Sequence, residues 1–182
     1  MASHATYGSV PHTHINTWSG LSGYRATRAF TSGLSVSASV ANTTANRAIY
    51  FPVAIPWMFT IRRLFWGNGS SVGSSVDMGL FTQDFVKVAS SGTTTTAGAS
   101  TLQFVTLGSP VLIDPGFYYF GFVSSGTTNA LMGASYTLQA GQLAGCKLQQ
   151  LGSASLPSVA TPSSFIACTI PLCGIASRTW GL

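Results

Sequence analysis

The chain has 182 residues, enough for one domain with an appendage that buries roughly two thirds of its unfolded surface. Only 6% of them are charged, with three acids that are all Asp, against about 25% in ordinary soluble domains. The eight Lys and Arg leave a net charge of +5 but adjoin only at Arg62-Arg63, too dispersed for the clustered phosphate contacts of a nucleic-acid protein.

A free monomer relies on charge of one sign for colloidal stability. A Ser/Thr/Gly/Ala surface this poor in charge suggests instead one covered by sister copies or by a larger assembly. Cys146, Cys168 and Cys173 are odd in number and lack a close CxxC pair. They argue against a disulfide framework and fit a reducing cytosol. The first residues lack a charged stretch followed by an apolar one, so no secretory signal is expected. The longest apolar segment, residues 48–59, is broken by Pro52 and Pro56 and falls short of the ~20 residues a membrane span needs. A soluble chain with no membrane partner is the expectation.

Residues 1–33 show no persistent period and carry His4, Tyr7, His12, His14, Trp18, Tyr24, Arg25 and Arg28. Disordered tails are poor in aromatics. Trp18, Tyr24 and Phe30 therefore suggest an extended N-terminal arm that docks on a neighbour. Residues 34–182 read as the folded domain. Over 34–41, Leu34, Val36, Ala38 and Val40 alternate with Ser35, Ser37 and Ser39, the pattern of a half-buried strand. Residues 47–53 form a second strand, which Pro52 and Pro56 confine to an edge or a bend.

Residues 57–66 read as a long strand with Trp57, Phe59, Ile61, Arg63 and Phe65 on one face. Met58, Thr60, Arg62, Leu64 and Trp66 lie on the other. Strict alternation sends Arg62 and Arg63 to opposite faces, so they cannot form one patch. Gly67-Asn68-Gly69-Ser70-Ser71 reads as a turn. Strands follow at 76–81, 85–89 and 101–107, with a polar loop at 90–100. In Asp114-Pro115-Gly116 proline presets φ for a tight turn and glycine is expected to take a positive φ. Residues 116–123 are apolar on both faces, Phe117, Tyr119 and Val123 opposing Tyr118, Phe120 and Phe122.

Two strands apolar on both sides require an outer cover, either the chain's own arm or another subunit. Beyond them come a turn at 125–129 and a strand at 130–136. A Gln/Gly/Ser-rich loop spans 138–163, with a helical turn near 143–151, and strands at 165–170 and 172–175 close the chain. About eight to ten strands with almost no helix predict an all-β fold, an antiparallel β-sandwich or jelly roll.

No catalytic constellation is visible. Asp77 and Asp84 are the one pair of acids outside the Pro-Gly turn, and both read as turn or edge residues rather than facing glycosidase carboxylates. The only histidines lie in the arm, and no G-x-S-x-G elbow or phosphate loop occurs. The cysteines lack zinc spacing. His12-x-His14 could grip a metal, but a solvated or packed pair is the plainer reading, so no metal or cofactor is expected. The candidate inter-subunit or ligand contacts are Trp18, Tyr24, Trp57, Arg62 and Trp66, large apolar faces and a guanidinium suited to interfaces or sugar stacking. Core packing is the plainer role for Trp57 and Trp66.

Val76-Asp-Met-Gly-Leu-Phe81, the loop from Gly92 to Ser100, Leu102-Gln-Phe-Val-Thr106 and Leu112-x-x-Pro-Gly-x-Tyr-Tyr119 together resemble a β-sandwich domain of structural proteins in tailed bacteriophages. Closures of this Gly-x-Tyr-Tyr kind also recur in bacterial carbohydrate-binding sandwiches. The resemblance is confined to the stretch 76–124 and leaves the arm and the C-terminal segment unassigned. It implies a non-enzymatic virion component made in the host cytoplasm, commonly trimeric. Such a component acts in a tail fibre or attachment structure, where a host surface glycan is a partner, or decorates the capsid beside other virion proteins. The alternatives are a carbohydrate-binding module, which needs an exposed row of aromatics, and the jelly-roll coat protein of a small virus. Against the coat protein, the arm has two arginines, too few to neutralise packaged nucleic acid.

Overall fold

The computed structural model describes residues 26–28, 37–41, 44–136, 147–165 and 168–177. In chain order the strands are β1 (Ala26–Arg28), β2 (Ser37–Ala41), β3 (Arg47–Ile55), β4 (Phe59–Gly67), β5 (Ser75–Phe81), β6 (Lys87–Ser90) and β7 (Thr94–Thr95). They continue with β8 (Leu102–Ile113), β9 (Gly116–Ser124), β10 (Ala130–Tyr136), β11 (Lys147–Gln150), β12 (Ser164–Phe165), β13 (Cys168–Pro171) and β14 (Cys173–Ala176). Among the described residues there is no helix, and so none long and apolar enough to cross a membrane.

Every pairing between strands is antiparallel. One sheet has the order β12-β11-β3-β9-β5-β6, with β7 on β5; opposite it lie β1-β14-β4-β8 and β13-β10-β2. The last two adjoin: Asn68 bridges Leu131, and Gly67 N and Gly69 N donate to Leu172 O (2.7 Å) and Ala130 O (2.9 Å). The main core fills the space between. Phe51, Val53, Ile55, Val76, Met78, Leu80, Phe120 and Phe122 from the large sheet meet Phe59, Ile61, Leu64, Trp66, Leu131, Ile170 and Ile175. The protein is an all-β antiparallel sandwich. Each of these side chains, removed from water, contributes roughly 1.5–3 kcal/mol.

The two-faced apolar character is real for β9 but not for β4, and the cover of β9 comes from an unexpected source. On β9, Tyr118, Phe120 and Phe122 face the main core, while Tyr119 and Val123 face the back of the large sheet. There they join Ala48, Tyr50, Phe81 and Phe85 beneath Leu151, Leu156 and Ala160 of the same chain. Residues 151–160 thus form a strap over that face, in place of the arm or second subunit anticipated from the pattern.

Backbone bonds fasten the strap at both ends. Leu151 N donates to Asn46 O (2.9 Å), Lys87 N to Ser158 O (2.8 Å) and Ala160 N to Phe85 O (2.9 Å). The helical turn expected near 143–151 is also overturned where it can be seen. Lys147–Gln150 is strand, paired with Arg47–Tyr50 of β3, because the chain must run extended to deliver the strap. Residues 143–146 lie outside the described residues.

Other expectations shift in instructive ways. β3 runs on past Val53 to Ile55 and lies inside the sheet between β11 and β9. Pro52 sits beyond Tyr50, the last β3 residue that β11 pairs, so no rung on that side is broken by its missing N–H. Strict alternation fails in β4. A register shift against β8 falls between Ile61 and Arg63, and it changes the phase of the strand. Phe59 and Ile61 before it, and Leu64 and Trp66 after it, all enter one core, so neither Arg62 nor Arg63 belongs to that cluster.

Gly116 has no positive φ; among described glycines that belongs to Gly73, Gly92 and Gly98. The Asp114-Pro115 connection carries the chain from one sheet to the other, and Gly116 is already extended opposite Ile55. Arg28 and its neighbours, inside the span read as arm, pair with β14 (Ala26 opposite Ala176), so the sheet begins before residue 34. Residues 1–25 lie outside the described residues, as do 29–36.

Candidate interaction surface

Two buried polar residues, Asp77 and Asn68, organise the interior. Asp77 reads from the sequence as a turn or edge residue, yet it is 1% exposed in the middle of β5. A buried carboxylate must be fully hydrogen-bonded. Its Oδ1 accepts from Ser90 Oγ (2.7 Å) and Ser91 Oγ (3.2 Å), and its Oδ2 from Leu156 N (2.9 Å). Lys87 Nζ donates to the carbonyl of the same Leu156 (2.8 Å), so the strap is held by opposite charges at one residue. Asp84 and Asp114 are exposed on separate connections. Tyr50 lies under the strap with its hydroxyl buried and without a hydrogen-bond partner. Burial, and secondarily the nearby Asp77 charge, raises its pKa far above the ordinary value.

Asn68 is not a surface turn residue. It is fully buried and serves as a bracket between strand and loop. Its Oδ1 accepts from Trp66 Nε1 (2.9 Å), and its Nδ2 donates to Ala97 O (2.7 Å) and Gln103 Oε1 (2.9 Å). Trp66 is therefore a core residue, wholly shielded by its own chain, with its one polar atom satisfied. It offers no indole face to a sugar or to a subunit in this fold. Trp18 and Tyr24 lie outside the described residues, and so do His12 and His14.

Among the described residues, three of the seven large exposed apolar side chains lie at one end of the sandwich, while Val72, Val86, Leu102 and Val159 lie elsewhere. Ile55 stands opposite Gly116 and Phe59 opposite Ile113, so the 56–58 and 114–115 connections share that end. There Met58 is 62% exposed, Leu112 62% and Phe117 64%. Trp57 is half-buried beside Met58 and packs against the main core. Arg62 is exposed on β4 just beyond, two residues past Thr60, the partner of Leu112. Of the five candidates, Trp57 and Arg62 thus lie at or near this end.

Sequence reasoning missed Met58, Leu112 and Phe117. Phe117 shares its face with Tyr119 and Val123, which the strap covers. It is the uncovered remainder of that face, and only the position of residues 151–160 reveals it. Leu112 gave no signal, since an isolated exposed leucine is ordinary. A comparison with known protein families and with curated proteins finds no match for this chain.

Proposed function

We propose that the protein is a non-enzymatic virion subunit of the tailed-bacteriophage kind, associating with copies of itself in a fibre or attachment structure or on the capsid surface. The observation that carries self-association is the end bearing Met58, Leu112 and Phe117, on a chain with only 6% charged residues. Large apolar side chains left exposed at one end favour contact with another surface, and few ionic groups elsewhere oppose close packing of copies. The virion reading draws on the strand and turn pattern of residues 76–124, and a trimer is the expected state. Size-exclusion chromatography with light scattering tests it: a trimer or larger species supports the reading, and a stable monomer at high concentration overturns it. Co-sedimentation with empty capsids, against binding to host glycans, then separates decoration from attachment.

A second reading, a carbohydrate-binding sandwich, has one observation in its favour. Phe117 is an exposed aromatic ring on a sheet face. Sugar platforms use faces of this kind, and a monomer that binds glycans and loses them on Phe117→Ala would establish it.

A further inference from the structure

We propose that Arg62 and Arg63 together form a site for the carboxylate of an acidic saccharide, on the outer face of the sheet that contains β4 and β8. The inference rests on the attachment form of the reading above.

The break in β4 carries it. Phe59, Ile61, Leu64 and Trp66 all enter the main core. The interval from Ile61 to Leu64 therefore leaves two consecutive residues off the core side, where strict alternation would send one of them inward. A bulge re-aims side chains in this way, and here it sets side by side two arginines whose Cα atoms are about 3.8 Å apart. On β8 the register passes from Thr106, opposite Arg63, to Val111, opposite Ile61. Leu107 to Pro110 have no Cα partner on β4, and Gly108 has open space where a Cβ would project. β8 is also the edge of its sheet, so no further strand closes off the surface beside the pair.

None of the three acidic side chains neutralises these arginines. Asp77 is engaged by Ser90, Ser91 and Leu156 behind the large sheet. Asp84 lies in the 82–86 turn of that same sheet. Asp114 comes two residues after Leu112, the partner of Thr60, which places it about 13 Å along the strand from Arg62. Arg62 is exposed, while Arg63 is half-buried, with its Nε shielded from solvent and lacking a hydrogen-bond partner. A shielded donor of a charged group is costly to leave unsatisfied, and two adjacent like charges repel. A carboxylate relieves both, because its two oxygens accept from planar guanidinium forks.

The surroundings suit a sugar as the carrier of that carboxylate. Thr106 and Ser109 are exposed on β8 and supply hydroxyls. Leu112, 62% exposed opposite Thr60, lies off the core side too and offers an apolar edge to the C–H face of a ring. Arg62 and Arg63 are the only adjoining cations in the sequence, which suits one anionic group and not a row of phosphates.

The test uses the full-length ¹⁵N-labelled protein and follows the arginine Nε–H signals by NMR as sodium glucuronate is added, with glucose and sodium phosphate as comparisons. Glucuronate should move the Arg62 and Arg63 signals to saturation, and glucose should leave them in place. Arg62→Lys and Arg63→Lys keep the charge but lose the fork, so each should weaken binding roughly tenfold at unchanged melting temperature. The absence of a saturable shift with glucuronate overturns the proposal. An equal response to phosphate overturns it as well, since the site would then take any small anion, and so does undiminished binding by both lysine variants. Light scattering on the same samples keeps the two readings apart. An oligomer that ignores glucuronate removes this inference alone, whereas a monomer that binds it leaves the site standing and removes self-association.

Discussion

Asp77 shows how much one buried charge can organise. The carboxylate takes three hydrogen bonds, two from hydroxyls on the neighbouring strand's end and one from the strap. In Asp77→Asn an amide that keeps Oδ1 as acceptor turns its NH₂ toward the Leu156 N–H, donor against donor. The expected cost is about 2–4 kcal/mol in urea unfolding, together with faster hydrogen exchange at the Leu156 amide. Unchanged exchange there would show that Asp77 does not hold the strap.

Tyr50 gives a prediction in pH. Its pKa is raised in the folded state, so its contribution is complete below the ordinary value of 10.0 and is lost as pH rises beyond it, because the unfolded chain ionises first. Tyr50→Phe should therefore flatten the alkaline decline in thermal stability. At neutral pH it should be neutral or mildly stabilising, since the deleted hydroxyl has no partner. An alkaline slope identical to the parent's would contradict this account.

At the scale of elements, most strands were legible because period-two alternation, β-branched runs and Gly/Pro punctuation act locally. Residues 130–136 were read to the residue, and the double apolar character of 116–123 is borne out by its two clusters. What local pattern cannot encode is a shift in pairing with a distant strand. The irregularity opposite Arg62 depends on how residues 106–111 of β8 lie alongside β4, which is why strict alternation puts Trp66 on the face opposite Phe59 and Ile61. The same limit applies to the candidate surface: Trp57 and Arg62 could be named from the sequence, but that Met58, Leu112 and Phe117 share one end emerges only when two connections are brought together.

β8 itself is a twelve-residue edge strand without a single charge. Pro110 and the register shift interrupt it, a device that blunts edge-to-edge pairing. Gly121 tests the packing of elements behind the large sheet. A Cβ there would come within 2.7 Å of the Phe81 ring and 2.9 Å of the Tyr50 ring. Gly121→Ala should cost about 1–3 kcal/mol by chemical denaturation, as overpacking between two buried rings does. A neutral effect would mean that the rings move aside freely.

For the whole molecule, the apolar end and the interior make separate demands. Met58→Asp places a charge on a side chain that is 62% exposed, so the isolated fold should tolerate it within about 0.5 kcal/mol. Association through that end should weaken, seen as a shift toward monomer in light scattering at unchanged melting temperature. An oligomer of undiminished size would move the contact elsewhere.

The strap has one further consequence, and it concerns synthesis. Tyr50, Phe81 and Val123 leave the ribosome well before Leu156 and Ala160 do, so a growing or prematurely stopped polypeptide carries a bare greasy back until its final fifth has been translated. Prematurely terminated products should therefore be sticky and readily cleared, which makes completion of the chain a condition for joining any larger body.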